Sequence, residues 1–203
     1  MKYYQYDING TIIRIPIPEN YQDCMILIKS DMYRITGKIL SSLSIFLYIL
    51  KPYKSSVLFW LRLSQHKGLI YPFTRIMYKR ASRKAQIDIP ISTRIGYGLY
   101  IGHATCMVIN KNTIIGNNVN LTQFLNIGSN QGTPAIIGNN VYIGPQVCLV
   151  ENVKIGNNSS IGAGAVVTKN VPDNATVVGV PAKVINYNNP GRHVNRRFPI
   201  NLK

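Results

Sequence analysis

The chain has 203 residues, enough for one domain with a small accessory segment and for a core that needs no disulfide bonds. Its three widely spaced cysteines, Cys24, Cys106 and Cys148, argue against a disulfide framework or a zinc site and favour the reducing cytoplasm. The net charge of +16 favours an anionic partner, whether nucleic acid, a membrane surface, a nucleotide-linked sugar or coenzyme A.

The N-terminal segment predicts a short strand over residues 12–17, with Asn9 and Gly10 as the turn before it. It does not resemble a signal peptide, because no apolar stretch is followed by a small-residue cleavage site. The longest apolar run, residues 39–50, is too short to span a bilayer, which takes roughly 20 residues.

Helices are predicted from residue 22 onward. Apolar spacings of three and four dominate from Ile35 and end at Lys51-Pro52, because the residue before a proline avoids the helical region. A second helix is expected over residues 55–65. A third follows Pro72 and carries many basic side chains. The composition changes near residue 87, where Ile, Val, Gly and Asn become frequent.

After residue 87 an aliphatic residue recurs every six positions. The series comprises Ile89, Ile95, Ile101, Ile109, Ile115, Leu121, Ile127, Ile137, Ile143, Leu149, Ile155, Ile161 and Val167. This period predicts a triangular β-coil of about 18 residues per turn, with the aliphatic side chains stacked inside and small residues at the corners. A β-sandwich would instead space its strands by about 8 to 12 residues, without a fixed register.

The repeat is interrupted twice. The spacing widens to eight residues after Ile101 and to ten residues after Ile127. The extra residues must bulge outward as loops, and loops on a rigid scaffold often carry function. The first loop, residues 102–106, contains His103, and the second spans residues 129–134.

Residues 87–186 resemble the hexapeptide-repeat acetyltransferases, and within them the serine acetyltransferase-like branch. The likeness is carried by the repeat, by the Gly-His-Ala-Thr insertion at 102–105 and by the Gly-Val-Pro-Ala ending at 179–182. The resemblance implies a left-handed parallel β-helix, a homotrimer, and acetyl-CoA bound between neighbouring subunits. The chain is accordingly divided into a mainly helical region (1–86), the β-helix acetyltransferase domain (87–186) and a basic tail (187–203).

The resemblance also implies site residues. His103 matches the catalytic base, and Asp88, fifteen residues earlier, matches the acid that orients it. A neutral imidazole can take the proton of an alcohol, and a carboxylate steadies the imidazolium that forms. A backbone N–H near Gly128 is expected to hold the oxyanion. Acetyl-CoA contacts are expected from Gly128, Ser129, Pro145, Ala163 and Lys183.

The sequence differs from that of serine acetyltransferases at the positions where those enzymes bind the amino acid. Gly102 stands in place of an aspartate, and Gly132-Thr133 stand in place of Arg-His. We therefore expect transfer to a sugar hydroxyl of a bacterial surface polysaccharide, capsule or O-antigen, or of its precursor. Residues 29–34 and 59–63 resemble the helical leader of such enzymes. The alternatives are serine O-acetylation with a divergent acceptor site and a non-catalytic β-helix binding protein.

The expected partners are the other subunits of a homotrimer and a carbohydrate or lipid-linked glycan acceptor. No nucleic acid is expected, because the coil lacks regularly placed basic and aromatic residues. No metal is expected, since no His, Cys or acidic cluster has ligand spacing. The protein is expected in the cytoplasm, either free or peripheral at the inner face of the membrane. The tail either reaches the phosphates of coenzyme A or is mobile, and His66 and His193 are interpreted as surface residues.

Overall fold

The computed structural model describes residues 1–50 and 55–199 and begins with a β-hairpin. Strands β1 (Lys2–Ile8) and β2 (Thr11–Ile17) pair antiparallel. Asn9 and Gly10 join them with φ angles of 52° and 84°, and positive φ at both positions is what a type I′ turn requires. The strand and the turn predicted here are therefore confirmed.

The hairpin is followed by helices α1 (Tyr21–Thr36), α2 (Ser42–Leu50), α3 (Ser55–Ser64) and α4 (Tyr71–Ala85). The first predicted helical segment is two helices rather than one. Gly37 ends α1 with a left-handed φ of 73°, and its N–H donates to the Tyr33 carbonyl at 2.8 Å. The predicted stop at Lys51-Pro52 lies outside the described residues. Helices α3 and α4 confirm the other two predictions.

Short strands then follow along the coil. They are β3 (Ile87–Asp88), β4 (Arg94–Ile95), β5 (Tyr100–Ile101), β6 (Met107–Ile109), β7 (Ile114–Ile115), β8 (Asn120–Leu121), β9 (Asn126–Ile127), β10 (Ile136–Ile137), β11 (Tyr142–Ile143), β12 (Cys148–Leu149), β13 (Lys154–Ile155), β14 (Ser160–Ile161), β15 (Val166–Val167), β16 (Thr176–Val178) and β17 (Lys183–Asn186).

These strands form three sheets, one on each side of a triangular coil. The first face has the order β13-β10-β7-β4, the second β17-β16-β14-β11-β8-β5, and the third β15-β12-β9-β6-β3. Neighbouring strands are parallel, except for β17. Ile95, Ile115, Ile137 and Ile155 pair in register, so the six-residue period becomes a stacked column of buried side chains. The predicted parallel β-helix with hexapeptide repeats is confirmed.

Asparagine side chains hold one corner of the coil together. The N–H of Asn117 donates to Asn139 Oδ1 at 2.8 Å, and the N–H of Asn139 donates to Asn157 Oδ1 at 2.8 Å. The next residue in each turn, such as Asn118 or Asn140, takes a φ of 56°. The Asn-Asn pairs therefore combine a side-chain acceptor for the adjacent turn with a left-handed corner residue.

The helical region is tied to the coil by a buried ion pair. Arg62 of α3 is fully buried and donates to both carboxylate oxygens of Asp31 in α1, at 2.8 and 3.1 Å. It also donates to the carbonyls of Ile95 and Gly96, at 3.0 and 2.6 Å. The N–H of Leu99 donates to Asp31 at 2.7 Å. Within residues 1–50 and 55–199, no helix has the length and hydrophobicity needed to span a bilayer.

The described part of the tail folds back along the second face towards α1. The N–H of Gly191 donates to the Asn158 carbonyl at 2.7 Å, and Asn120 donates to the His193 carbonyl at 2.8 Å. Phe198 reaches α1, where its ring lies 5.8 Å from that of Tyr33. The tail thus bridges the coil and the helical region up to residue 199.

Candidate active site

The first interruption of the repeat places His103 on an outward bulge. Residues 102–106 form the corner between β5 on the second face and β6 on the third. The N–H of Gly102 still bonds the Leu121 carbonyl at 2.8 Å, but His103 and Cys106 turn left-handed, with φ of 49° and 47°. Positive φ is uncommon outside glycine and marks a backbone that its surroundings hold in place. The imidazole is exposed to solvent.

Asp88 lies on the third face, one strand below this corner. Strand β3 pairs with β6, and Asp88 is opposite Val108. The outward row continues in register through Asn126, Cys148 and Val166. The Asp88 side chain is exposed, as is that of His103, and the described structure places no hydrogen bond between them. The register thus puts both side chains at the same end of the third face.

Pro145 and Ala163 lie at the same corner of the coil as the His103 bulge, between the second and third faces. The N–H of Phe124 bonds the Thr105 carbonyl at 3.4 Å, as the N–H of Gln146 bonds the Gln123 carbonyl at 3.0 Å, so Thr105 continues the column of Pro145 and His103 lies just outside it on the bulge. The Pro145 carbonyl accepts the N–H of Gly164 at 2.8 Å, which fixes the last turns of this corner.

Lys183 lies beyond the end of that column. It is exposed in β17, and the N–H of the preceding Ala182 bonds the Val166 carbonyl at 2.8 Å. Four of the predicted site residues therefore follow one edge of the third face. They are His103, Pro145, Ala163 and Lys183.

Gly128 and Ser129 lie at the opposite edge of the third face, where the second loop begins. They line an open groove of about 330 Å³, together with Asn126 and Cys148. The expected oxyanion donor is not Gly128 itself, because its N–H bonds the Leu149 carbonyl at 3.2 Å within the coil. One chain therefore presents the predicted site residues on two separate edges.

Glu151 organises the second loop, a role that sequence reasoning missed. Its Oε2 accepts the N–H groups of Asn130, Gln131 and Gly132 at 2.8, 3.0 and 2.8 Å. Ser129 also donates to it, at 3.3 Å. The N–H donors, with that of Gly132 first, hold the pKa of Glu151 below its usual range. The register contained the signal, since Ile127 pairs with Leu149 and so sets residue 129 beside residue 151.

No group of three His, Cys, Asp or Glu side chains that could hold a metal ion occurs in residues 1–50 and 55–199. His66 packs edge-on against Tyr21 at 4.7 Å between ring centroids. His193 is exposed, as predicted, and its ring lies 4.7 Å from that of Tyr142 beside a second pocket.

The repeat region matches a known family model. Residues 134–169 match the model described as bacterial transferase hexapeptide, six repeats. This part of the coil therefore resembles the hexapeptide repeats of bacterial transferases, in agreement with the observed fold.

Its relatives include serine acetyltransferases. The enzyme of Buchnera aphidicola subsp. Schizaphis graminum is 38% identical over 120 residues, which cover 57% of this chain and 46% of that protein. The chain thus spans about half the length of the curated relatives it matches. These relatives do not support the expected likeness to capsule and O-antigen enzymes, nor contact with a membrane.

Solved serine acetyltransferases share the fold. The Neisseria gonorrhoeae enzyme in complex with serine has a TM-score of 0.65 and 28% identity, covering 81% of this chain and 70% of that one. The Brucella abortus strain S19 enzyme in complex with coenzyme A has a TM-score of 0.61 and 26% identity, covering 79% and 66%.

Proposed function

We propose that this protein is an acetyl-CoA-dependent O-acetyltransferase with His103 as general base. The observation that carries the proposal is the position of His103. It is an exposed imidazole on the first of the two bulges of the coil, at the same corner as Pro145 and Ala163. The likeness to serine acetyltransferases, one of them solved with coenzyme A, supports acetyl-CoA as the donor.

The residues fit a direct transfer. An alcohol is a poor nucleophile, and His103 is placed to take its proton as the oxygen attacks the thioester carbonyl. Acetyl-CoA supplies the activated acyl group. As the carbon–sulfur bond breaks, the imidazolium returns that proton to the departing thiolate, so that the products are an O-acetyl ester and a free thiol. Asp88 is proposed to orient the ring of His103 and stabilise its charged form.

The site is proposed to be completed by a second subunit. Within one chain, His103 lies at one edge of the third face, and Gly128 and Ser129 lie at the other. In a homotrimer, the edge of one coil would face the opposite edge of its neighbour. Such an arrangement brings the Ser129 groove and the His103 corner to one interface. The acetyl-CoA contacts of Pro145, Ala163 and Lys183 belong to the same proposal.

Serine is the acceptor that the relatives favour. The matched proteins are named serine acetyltransferases, and one solved relative is in complex with serine. This acceptor takes the place of the polysaccharide that the sequence alone suggested.

A neutral hydroxyl is the second candidate, and it rests on one observation. Gly102, Gly132 and Thr133 carry no charge at the positions where the resemblance implies groups that hold a zwitterion. The Glu151 carboxylate beside the second loop already accepts hydrogen bonds from three backbone N–H groups of that loop. A sugar hydroxyl needs no charged partners.

An acceptor comparison tests both candidates. Purified protein with acetyl-CoA is supplied with L-serine, with N-acetylserine and with neutral methyl glycosides, and thiol release is followed with hydrolysis as the blank. Faster release with L-serine supports serine O-acetylation. Faster release with glycosides supports the second candidate. Release at the hydrolysis rate with every acceptor, despite coenzyme A binding, contradicts the enzyme proposal and favours a binding protein.

A further inference from the structure

A polar pocket lies away from the third face, between α1, the second face and the tail. We call it the tail pocket and define it by Arg34, Tyr100, Asn120, His193 and Arg196. Its volume is about 300 Å³, at the lower end of the range for small-molecule sites. The tail forms one wall of it, since Arg196 donates to the Ile35 carbonyl at 2.5 Å.

Arg34 is a buried cation whose hydrogen-bond partners within residues 1–50 and 55–199 are neutral. Its side chain is 5% exposed. It donates to the carbonyls of Asn195 and Gly98 at 3.2 and 2.8 Å, and to the side-chain oxygen of Asn120 at 2.6 Å. A guanidinium has five N–H groups, so two remain beyond these three bonds. Burial lowers the pKa of Arg34 to about 10.

The nearby carboxylate does not neutralise Arg34. Both oxygens of Asp31 accept hydrogen bonds from Arg62, and one also accepts the N–H of Leu99. The buried set of Asp31, Arg62 and Arg34 therefore carries one excess positive charge. A buried charge without an opposite partner is unfavourable, which makes an anion at this position stabilising.

The remaining lining adds donors and no acid. Arg196 contributes a second guanidinium, and no Asp or Glu is among the described residues that line the pocket. His193 Nε2 accepts a hydrogen bond from Arg192 Nε at 2.8 Å, so the ring is neutral with its proton on Nδ1. Burial and the Arg192 charge lower the pKa of His193, consistent with this form.

We propose that the tail pocket binds a small oxyanion, a phosphate or carboxylate group, through Arg34 and Arg196. The planar guanidinium fork matches both groups, and bonds between charged partners are about twice as strong as neutral ones. The bound anion would join α1 to the tail, because the two arginines belong to these two segments. The site is independent of acyl transfer, since its residues lie in α1, on the second face and in the tail, away from the third face.

Calorimetric titration with inorganic phosphate and with citrate, at constant ionic strength, tests the proposal. We expect wild type to bind at least one of them, and the tighter ligand identifies the anion class. Arg196→Gln should weaken binding on the order of tenfold. Arg34→Lys, which keeps the charge but loses the fork, should also weaken it. Lys169→Gln, at an exposed lysine after β15 on the third face, is the matched control and should bind like wild type.

A second readout is independent of affinity. Phosphate or citrate should slow hydrogen exchange of the amides in residues 191–198 in wild type, and should not do so in Arg196→Gln. The proposal is overturned if wild type binds neither anion, or if Lys169→Gln loses as much affinity as Arg196→Gln. It is also overturned if acetyl-CoA displaces the bound phosphate or citrate, because the pocket would then belong to the donor site.

Discussion

Replacement of Arg62 by Met should destabilise the protein strongly, because it leaves a buried charge without its partner. The side chain is fully buried and makes two bonds to Asp31 and two to backbone carbonyls of the coil. Methionine fills most of the volume but donates nothing. Among the described residues, Asp31, which is 3% exposed, would keep the N–H of Leu99 as its one direct donor.

The expected loss is large for a single substitution. Removing one member of a buried ion pair costs about 3 to 5 kcal/mol. For a chain of this length, 1 kcal/mol lowers the melting temperature by roughly 2 to 4 °C, which gives a decrease of about 6 to 20 °C. Differential scanning calorimetry measures it. Arg80→Met, at an exposed position of α4, is the control and should change stability by no more than about 0.5 kcal/mol.

The loss of stability in Arg62→Met should also depend on pH. Burial raises the pKa of Asp31 in the folded protein, and the loss of Arg62 raises it further. Because the pKa of Asp31 is higher in the folded than in the unfolded protein, where it is about 4, the contribution of this shift to the free energy of unfolding is fully present below pH 4. That contribution is lost as the pH rises through the folded pKa. The deficit of Arg62→Met should therefore be smaller at pH 5 than at pH 8, and Asp31→Asn should restore part of it. A melting temperature within 2 °C of wild type at both pH values would refute this reasoning.

Two further substitutions test the coil and the second loop. Glu151→Gln should speed hydrogen exchange of the amides in residues 130–132, because the carboxylate that accepts their N–H groups is gone. In wild type, the protection of these amides from exchange should be lost as the pH falls below about 4, because the pKa of the Glu151 carboxyl is lowered in the folded protein. Unchanged exchange in Glu151→Gln would show that the carboxylate does not hold the loop. Gly116→Ala should prevent correct folding, since a Cβ would lie 2.2 Å from the Gly138 carbonyl oxygen. Gly102→Ala is the control and should fold normally, because its Cβ would meet nothing closer than 3.4 Å. Circular dichroism and melting curves compare the two variants, and equal stability would contradict the packing described.

The coil could be predicted from the sequence because the six-residue period of the aliphatic residues equals the length of one side of the coil. Each six-residue side stacks on the equivalent side of the next turn, so the aliphatic series maps directly onto columns such as Ile95, Ile115 and Ile137. The same register places the His103 bulge and Asp88. The turn at Asn9-Gly10 could also be predicted from the sequence, because a turn with positive φ at both positions accepts few residue types.

The features that sequence reasoning missed depend on distant or backbone contacts. The apolar spacing continued across Gly37, so it did not reveal the left-handed cap that separates α1 from α2. Glu151 acts on backbone N–H groups of a loop, which leave no side-chain pattern. The tail pocket joins Arg34 to a carbonyl 161 positions away in the chain, and local pattern carries no information about such a pairing.

The most direct test of the account is the rate of acyl transfer by His103→Ala. With the acceptor that wild type uses fastest, kcat should fall by about 10²- to 10⁴-fold, the contribution typical of a general base. Coenzyme A affinity and melting temperature should stay at wild-type values, because the His103 side chain is exposed and lies outside the coil core. His66→Ala, in the segment between α3 and α4, is the control and should retain full activity. A His103→Ala rate within threefold of wild type would contradict the account.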